Sequence, residues 1–383
     1  MDERFRLTPL EALWGVPVGT DEATAPLPDA PAASSPRFAL ERAVLPALQR
    51  PPCLVSFSGG VDSSLVLALA VHVARREGLP LPVPATHRFP GVAEADETRW
   101  QDQLVAHLCL DDWLRLEWTD ELDLVGPVAA GVLERHGPLV PFNGHFQQPF
   151  VERAAGGALL TGVGGDELFA PVRRATAAHV LLRHRQPRPR DLPTLAFGLA
   201  PRRVRAAVAT RRRPIRLYSW IRPQARRRLA RAYAAWEAQE PLRWDRALQT
   251  WWWRSRALQC NLAGKRALGE ACDVLVASPL ADPSVMSACA ATGGPIGLGS
   301  RARALGAIAG DLLPPALLAR TSKASFDGAF WTGRARAFAA AWDGSGVDSQ
   351  LVDVAALRAE WASAQPDPHT FALLQQAWLA VRD

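Results

Sequence analysis

Leu54-Val55-Ser56-Phe57-Ser58-Gly59-Gly60-Val61-Asp62-Ser63-Ser64 is the most informative stretch of this 383-residue chain. An apolar run ends abruptly in Ser-Gly-Gly, and apolar residues then recur with the spacing of one helix face: Leu65, Val66, Leu69, Ala70 and Val73. Two adjacent glycines let the backbone turn tightly and approach a bound group, and the N-terminus of the following helix attracts anions. The stretch therefore predicts a strand, a phosphate-binding turn and a helix.

The side chains of this turn also suit a phosphate ligand. Three serines, Ser58, Ser63 and Ser64, can donate hydrogen bonds, and Asp62 could hold Mg²⁺ beside phosphate oxygens. The Gly-x4-Gly-Lys-Ser/Thr phosphate loop is excluded, because no lysine follows the glycines. The competing interpretation is a strand-turn-helix whose glycines serve geometry alone.

The turn resembles the Ser-Gly-Gly-x-Asp-Ser-Ser signature of the ATP pyrophosphatase (PP-loop) superfamily. Enzymes of that superfamily cleave ATP between its α and β phosphates, adenylate a substrate and hold the departing pyrophosphate in this loop. The resemblance implies that ATP is bound, with contacts from nine consecutive residues: Ser56, Phe57, Ser58, Gly59, Gly60, Val61, Asp62, Ser63 and Ser64.

A second glycine-rich segment, Leu159 to Phe169, lies about a hundred residues further on. It resembles the Ser/Thr-Gly-x-Gly-x-Asp-Glu-Leu/Val-Phe motif of the asparagine synthetase family, which adds Gly162, Gly164 and Gly165 to the expected nucleotide contacts. Asp62 and Asp166, at the ends of two strands, could bracket Mg²⁺ that carries the β and γ phosphates. Both carboxylates are therefore predicted as metal ligands and catalytic residues.

The resemblance to asparagine synthetases extends over roughly residues 38 to 335. Ser278–Asp282 is similar to the Pro-Phe-Leu-Asp segment of that family, and Gly310–Gly328 is similar to its Leu-Pro followed by Arg-x-x-Lys-x-x-Phe. Lys323 falls on the active-site lysine of the family, which implies that it stabilises charge on the adenylate and the pyrophosphate. Glu94, Asp96 and Glu97 are similar to an acidic stretch of the family, and we interpret them as carboxylates at a helix N-terminus.

Two departures from the family bear on function. Residue 2 is Asp, where glutamine-using members carry a catalytic cysteine, and only about fifty residues precede the first loop, so glutamine hydrolysis by that route is not expected. Val163 stands where asparagine synthetases commonly have glutamate and β-lactam-forming relatives have tyrosine. Since valine cannot transfer a proton, another group, water or the substrate must act as the base.

The composition is that of a globular protein, with 48% hydrophobic and 21% charged residues. No apolar run is long enough to span a membrane, and the N-terminus has no signal-peptide core. An odd set of scattered cysteines argues against a disulfide framework and a zinc site: Cys53, Cys109, Cys260, Cys272 and Cys289. We therefore expect a cytoplasmic protein without a membrane partner.

The predicted fold class is α/β, with a parallel PP-loop sheet covered by helices on both faces and a mostly helical C-terminal portion. Beyond the first strand-turn-helix, the patterns predict helices at 38–48, 96–108 and 125–135 and strands at 81–89, 112–118 and 157–162. After Phe169 the strand signal nearly vanishes. We divide the chain into a lead-in and linker, an ATP-binding core, an arginine-rich helical segment, a segment completing the site and C-terminal helices: 1–36, 37–170, 171–240, 241–340 and 341–383.

Two further features of the sequence leave alternatives open. Between Arg173 and Arg231 the chain has eighteen arginines and one acidic residue, Asp191. Such a block could bind nucleic acid, an anionic surface or an acidic peptide, or it could simply form solvated helix faces. The run Trp251–Trp253 fits core packing or a contact between subunits as well as it fits ligand stacking.

Together these patterns predict an ATP-dependent, AMP-forming amide synthetase that joins a carboxylate substrate to an amine nucleophile. Relatives of this type include asparagine synthetases, β-lactam synthetases and the macrolactam cyclases of lasso peptides. The arginine excess and Val163 favour peptide or natural-product modification, with a partner protein as one means of substrate delivery.

Three other functions compete with this one. Asparagine synthesis from free ammonia, or from ammonia supplied by a separate glutaminase chain, is the first. A PP-loop enzyme acting on tRNA is the second, although neither a cysteine pair nor an RNA-binding module accompanies the basic block. A non-catalytic binding protein is the third, and the presence of Asp62, Asp166 and Lys323 argues against it.

Overall fold

A computed structural model describes residues 2–31, 34–169, 175–182, 186–212, 218–320, 322 and 324–382. Its centre is a parallel sheet of five strands in the order β3-β2-β1-β4-β5. The strands are β1 Cys53–Ser56, β2 Val83–Arg88, β3 Leu114–Glu117, β4 Ala158–Leu160 and β5 Leu275–Ala277. The fold class predicted from the sequence is confirmed.

The helices of the described residues surround this sheet. Those of the first half are α1 Pro9–Ala12, α2 Pro36–Leu48, α3 Val61–Glu77, α4 Thr98–His107, α5 Pro127–His136, α6 Gln148–Arg153, α7 Gly165–Phe169 and α8 Ala175–Leu181. Those of the second half are α9 Leu192–Leu199, α10 Arg202–Arg212, α11 Pro223–Glu237, α12 Trp244–Arg246, α13 Arg256–Glu270, α14 Pro283–Gly293, α15 Arg301–Ala309, α16 Pro315–Leu318, α17 Asp327–Phe330, α18 Gly333–Ala341, α19 Val354–Trp361 and α20 Phe371–Ala380. A π-helical turn spans Ala247–Trp252.

The direction of strand addition reverses at β1. The chain moves from β1 to β2 and β3 on one side, and then crosses to β4 and β5 on the other. Leu54 pairs with Val83 of β2 and with Leu159 of β4, so β1 lies between the two branches. In open parallel sheets a crevice forms at such a reversal, outside the carboxyl ends of the strands. The loops that follow β1 and β4 therefore meet at one place.

Alternate strand residues face two different apolar clusters. Val55 and Leu160 belong to a cluster formed with α2, α3 and α14, whereas Leu54 and Leu159 belong to one formed with α5, α6 and α13. This follows from the two-residue period of a strand, which points neighbouring side chains to opposite faces. Because both faces are covered at the centre of the sheet, β1 and β4 are nearly continuous apolar runs, as is typical of parallel sheets, whereas the edge strand β3 alternates apolar and charged residues.

Helix α3 is buried along most of its length and fixes the direction in which the first loop opens. Leu65, Leu67 and Leu69 are fully buried, so this helix lies in the core instead of on the surface. It ends at Gly78, whose backbone is left-handed (φ 65°) and whose N–H donates to the carbonyl of Ala74. The helix therefore holds its N-terminus rigidly beneath the glycine loop.

Most predicted elements of the first 170 residues lie within a few residues of their observed bounds, and the described portion after Phe169 is mostly helical, as predicted, with one strand that the sequence did not indicate. Strand β5 lies more than a hundred residues later and pairs with β4, with Ala158 opposite Leu275. It has only three residues, which is too short for a periodic pattern to show in the sequence. Its extended form comes from its pairing with β4.

A third apolar cluster, rich in tryptophan, joins the N-terminal segment to the C-terminal helices. Trp14, Trp220 and Trp378 are among its buried members. Glu11, which is 5% exposed, accepts two hydrogen bonds from the guanidinium of Arg256 at 3.0 and 3.1 Å. The segment that the sequence indicated as a lead-in is therefore packed against the body of the protein.

The tryptophan run at residues 251–253 contributes to packing within the chain. Trp251 stacks on Trp236 with ring centroids 4.4 Å apart, and its indole N–H donates to the carbonyl of Trp236. The indole N–H of Trp253 donates to the carbonyl of Ala25. These contacts favour core packing over ligand stacking for two of the three tryptophans.

Within the described residues, no helix is both long enough and apolar enough to cross a membrane.

A buried aspartate anchors the start of α18. The carboxylate of Asp123 is fully buried and accepts hydrogen bonds from the N–H groups of Val125 at 3.0 Å, Thr332 at 2.9 Å and Ala335 at 3.1 Å. The last two donors lie at the start of α18, where a negative charge is favoured. Asp123 therefore ties the sheet edge to the C-terminal helices.

Replacing Asp123 with alanine is expected to lower the free energy of unfolding by about 3 kcal/mol, because several buried N–H groups lose a charged acceptor at once. Chemical denaturation measures this value. Asp112→Ala is the matched control, since Asp112 is exposed, and it should change stability by less than about 0.5 kcal/mol. Equal stability of the two variants would contradict the anchoring role.

Candidate active site

The loop after β1 has a backbone that requires glycine. Gly59 has a φ of +86°, and a Cβ there would lie 3.0 Å from the side chain of Gln101 and 3.1 Å from that of Glu97. The next glycine, Gly60, precedes α3 and leaves its first turn open. The amide groups of that turn have no intrahelical partner, and Val61, Asp62 and Ser63 line a cavity. Donors for an anion are therefore present there.

The serine hydroxyl groups of this loop form hydrogen bonds within the loop. The hydroxyl groups of Ser63 and Ser64 both donate to the carbonyl of Gly60, at 3.0 and 2.8 Å. The N–H of Ser58 donates to Ser63 Oγ at 3.3 Å, and the hydroxyls of these two serines are 3.2 Å apart. Ser64 is fully buried. Ser58 and Ser63 thus remain as the hydroxyls that line the cavity.

The loop after β4 packs directly against the first loop. Gly164 has a φ of +103°, and a Cβ there would lie 2.5 Å from the backbone of Leu280 and Ala281. A Cβ on Gly165 would lie 2.5 Å from both carboxylate oxygens of Asp62. The second glycine motif is therefore needed for close approach, and this approach places Asp166 beside Asp62.

One arginine contacts both predicted metal ligands. The guanidinium of Arg301, at the start of α15, donates to Asp62 Oδ1 and lies 3.6 Å from Asp166 Oδ1. Asp62 is mostly buried, whereas Asp166 is largely exposed. Two carboxylates more than a hundred residues apart in the chain thus face one cation. No motif in the sequence indicates Arg301.

This arrangement fits Mg²⁺ bound together with phosphate. Among the described residues no group of three or more His, Cys, Asp or Glu side chains forms a self-sufficient metal site. Mg²⁺ in nucleotide sites, however, commonly takes only one or two carboxylates and completes its shell with phosphate oxygens and water. Asp62 and Asp166, which already share a positive partner, are the residues that would hold the ion.

A buried ion pair connects the first loop to the segment after α16. The guanidinium of Arg320 is 2% exposed, pairs with the carboxylate of Glu97 and donates to the carbonyl of Gly59 at 2.8 Å. It also lies over the ring of Trp100, 4.9 Å from the ring centroid. Asp96 accepts from the N–H of Thr98, as expected for a carboxylate at a helix N-terminus. Glu97 differs, because its carboxylate pairs with Arg320.

These elements enclose a cavity of about 570 Å³. The predicted residues that line it are Ser56, Ser58, Gly60, Val61, Asp62, Ser63, Gly162, Gly164 and Asp166. Four further predicted residues do not line the cavity but pack within the two loops: Phe57, Gly59, Ser64 and Gly165. Lys323 lies outside the described residues, although Arg320, Ser322, Ala324 and Phe326 on either side line the cavity.

Several lining residues come from elements that the motifs do not include. Gln147, Asn261 and Lys265 form a polar wall, with Val163 also lining the cavity. The side-chain oxygens of Gln147 and Asn261 are buried and have no hydrogen-bond partner among the described residues. Unpaired buried acceptors are costly, so they indicate a place where a donor of a ligand fits.

Two titratable groups of the cavity have displaced pKa values. Burial, followed by the negative charges of Asp166 and Asp62, raises the pKa of Glu167 to about 7. Burial lowers the pKa of Lys265 to about 8. Both shifts have the sign expected when a charged form loses its water. The cavity therefore contains groups that can exchange protons near neutral pH.

A model of a known protein family matches most of the chain. The family model described as asparagine synthase matches residues 37–380, which includes both glycine loops, β5 and the segment that contains Arg320. No curated protein matches the chain.

Gly165→Ala is expected to abolish the stabilisation of the protein by Mg²⁺ and ATP while leaving a folded chain, because the added methyl group would displace Asp62. Thermal unfolding with and without Mg²⁺ and ATP measures the shift in Tm. Gly131→Ala is the control, since a Cβ at Gly131 meets nothing within 4 Å. An unchanged ligand-induced shift in Gly165→Ala would contradict the close-approach requirement.

The buried pair of Arg320 and Glu97 can be tested by a double-mutant cycle. Arg320→Met alone should cost about 3–5 kcal/mol of unfolding free energy, because it leaves the Glu97 carboxylate buried without its counter-charge. Adding Glu97→Leu should recover part of that loss. The exposed pair of Arg334 and Asp120 provides the comparison, with an expected coupling below about 1 kcal/mol. Additive losses at Glu97 and Arg320 would argue against the pairing.

Proposed function

The chain belongs to the asparagine synthase family, whose members form amides with the energy of ATP, and we propose that it activates a carboxylate as an acyl-adenylate and joins it to an amine. The observation that carries the proposal is the meeting of the β1 and β4 loops at one cavity, with Asp62, Asp166 and Arg301 in contact. A phosphate chain bound there has amide and hydroxyl donors on one side and carboxylates for a metal ion on the other.

In the first proposed step a carboxylate oxygen of the substrate attacks the α-phosphorus of ATP. The bond between the α-phosphorus and the bridging oxygen breaks, and pyrophosphate leaves into the loop from Ser58 to Ser64. In this proposal the amide groups of α3 and the guanidinium of Arg301, which line the same cavity, would stabilise its growing negative charge. Bound Mg²⁺ would neutralise phosphate charge in the same place.

In the second proposed step an amine attacks the acyl carbon of the adenylate and AMP leaves. Holding the two reactants in one cavity supplies a large part of the rate, because the reaction becomes effectively intramolecular. Val163 lines this cavity but offers no group that can accept the proton of the amine. The wall formed by Gln147, Asn261 and Lys265 lies in the same cavity and is polar.

The arginine-rich segment supports a peptide as one of the substrates. Part of this segment lies outside the described residues, but α8, α9 and α10 are described. Their surface has large apolar side chains that are about half exposed, interspersed with arginines: Leu181, Leu182, Leu192, Leu199 and Val204. A mixed cationic and apolar surface suits a chain with acidic and apolar residues. We therefore include peptide or natural-product modification in the proposal, with delivery by a partner protein as an extension of it.

Pyrophosphate release from ATP tests the proposed function. The purified chain is incubated with Mg²⁺, ATP and a panel that pairs free amino acids, acylated amino acids and acidic peptides with ammonium or amines. At least one pair should release pyrophosphate, and Asp62→Ala should reduce the rate by roughly 100-fold or more. Asp112→Ala should retain it, because Asp112 is exposed.

Two outcomes would contradict parts of this proposal separately. If no pair releases pyrophosphate above the Asp62→Ala level, adenylation itself is wrong. If aspartate and ammonium yield asparagine at an appreciable rate, the adenylating activity stands, but the peptide substrate is wrong.

A further inference from the structure

Lysine is almost absent from this chain. Of 44 lysine and arginine residues, only two are lysines, Lys265 and Lys323. The two residue types differ in chemistry, because arginine stays protonated in proteins whereas a buried lysine can lose its proton. Lys265 therefore has a capacity that the abundant arginines lack.

Lys265 lies on the wall of the cavity, one helical turn after Asn261 on α13. Residues four apart in a helix lie on the same face, so both point to the same side. Among the described residues the ammonium group of Lys265 has no hydrogen-bond or ion-pair partner. Arg301 and Arg320, by contrast, pair with Asp62 and Glu97.

Burial alone accounts for the lowered pKa of Lys265, which is about 8. The titratable groups on α13 and on the segments packed against it contribute no shift in the pKa of Lys265: Glu3, Arg4, His145, Glu152, Arg153, Arg256, Cys260, Arg266 and Glu270. The charged groups of the cavity contribute none either: Asp62, Glu97, Asp166, Glu167, Arg301 and Arg320. At pH 8, about half of the Lys265 side chains are therefore neutral and can accept a proton.

We propose that Lys265 accepts the proton that the amine nucleophile must lose when it attacks the acyl-adenylate. This inference rests on the proposed function, which requires a base that Val163 cannot supply. The unpaired amide oxygens of Gln147 and Asn261 would accept the remaining N–H groups of the amine and orient its lone pair. The polar wall is thus assigned to the amine, and the glycine loops to the phosphates.

The step balances without any further reactant. The lone pair of the amine nitrogen forms the new bond to the acyl carbon, and the bond from that carbon to the phosphate oxygen breaks with its electrons left on AMP. The proton on nitrogen passes to neutral Lys265 Nζ, which becomes an ammonium group and then returns the proton to water. Glu167 is less suited to this role, because it follows Asp166 directly, at the end of the cavity assigned to phosphate.

Three variants test the role of Lys265 as a base. Lys265→Met removes the amine at similar length, Lys265→Arg keeps the positive charge but cannot release its proton, and Arg266→Met is the control on the adjacent exposed residue. The nucleophile is hydroxylamine, which is already neutral at pH 7, combined with the carboxylate that releases most pyrophosphate in the panel above. Pyrophosphate and hydroxamate are measured separately in a single turnover, from pH 6.5 to 9.

For the wild-type protein, hydroxamate formation should rise with pH and level off above about pH 8. Lys265→Met and Lys265→Arg should both form hydroxamate roughly 100-fold more slowly and lose this pH dependence, while they keep the release of pyrophosphate. Arg266→Met should behave like the wild type. Rescue by Lys265→Arg would show that only the charge matters and would overturn the proposal, as would full activity of Lys265→Met.

A second measurement needs no substrate. Protein labelled with ¹³C at the lysine ε-carbon should give two resonances, and Lys323→Arg identifies the one from Lys265. Its titration midpoint should be near 8, and an ordinary midpoint of about 10.4 would overturn the inference. If the wild type releases no pyrophosphate at all, the proposed function fails and this inference with it. If only the Lys265 variants behave unexpectedly, the proposed function stands.

Discussion

The contact between Gly165 and the carboxylate of Asp62 is the constraint on which the site depends. It exists because β1 and β4 pair in parallel, so that the loops at their carboxyl ends meet. A single Cβ at Gly165 would occupy the place of the carboxylate oxygens. This approach places Asp62 and Asp166 beside one arginine, at the place where we propose that phosphate and metal bind.

Charge balance explains how the rest of the cavity is held. The buried pair of Arg320 and Glu97 connects the segment after α16 to the carbonyl of Gly59, and Arg301 forms ion pairs with Asp62 and Asp166. A buried ion pair adds little net stability but is costly to break. Its main effect here is therefore to fix the position of the segment after α16, and its contribution to the stability of the fold is small. Lys265 is the exception, because it is partly buried and has no anionic partner among the described residues, and so can be neutral.

The strands and helices of the first 170 residues could be predicted from the sequence because each signal there lies within a short segment. A strand, a glycine turn and a helix follow one another at Leu54–Ser64, and the second motif repeats the arrangement. Strand β5 was missed because three residues form no pattern by themselves and become a strand by pairing with β4. Glu97 does lie at a helix N-terminus, as the N-cap residue of α4, but its pairing with Arg320 was missed because that partner lies 223 residues away.

The amino-acid sequence was sufficient for the fold class, the two glycine loops and the carboxylates Asp62 and Asp166, since chemistry and spacing for these lie within short segments. The three-dimensional packing was needed to place Arg301 between the carboxylates and to bring Gln147, Asn261 and Lys265 into the same cavity. Those residues come from separate helices and turns, and their distances depend on how the helices pack against the sheet. The proposed phosphate half of the site is thus a local property of the chain, and the proposed amine half is a property of its packing.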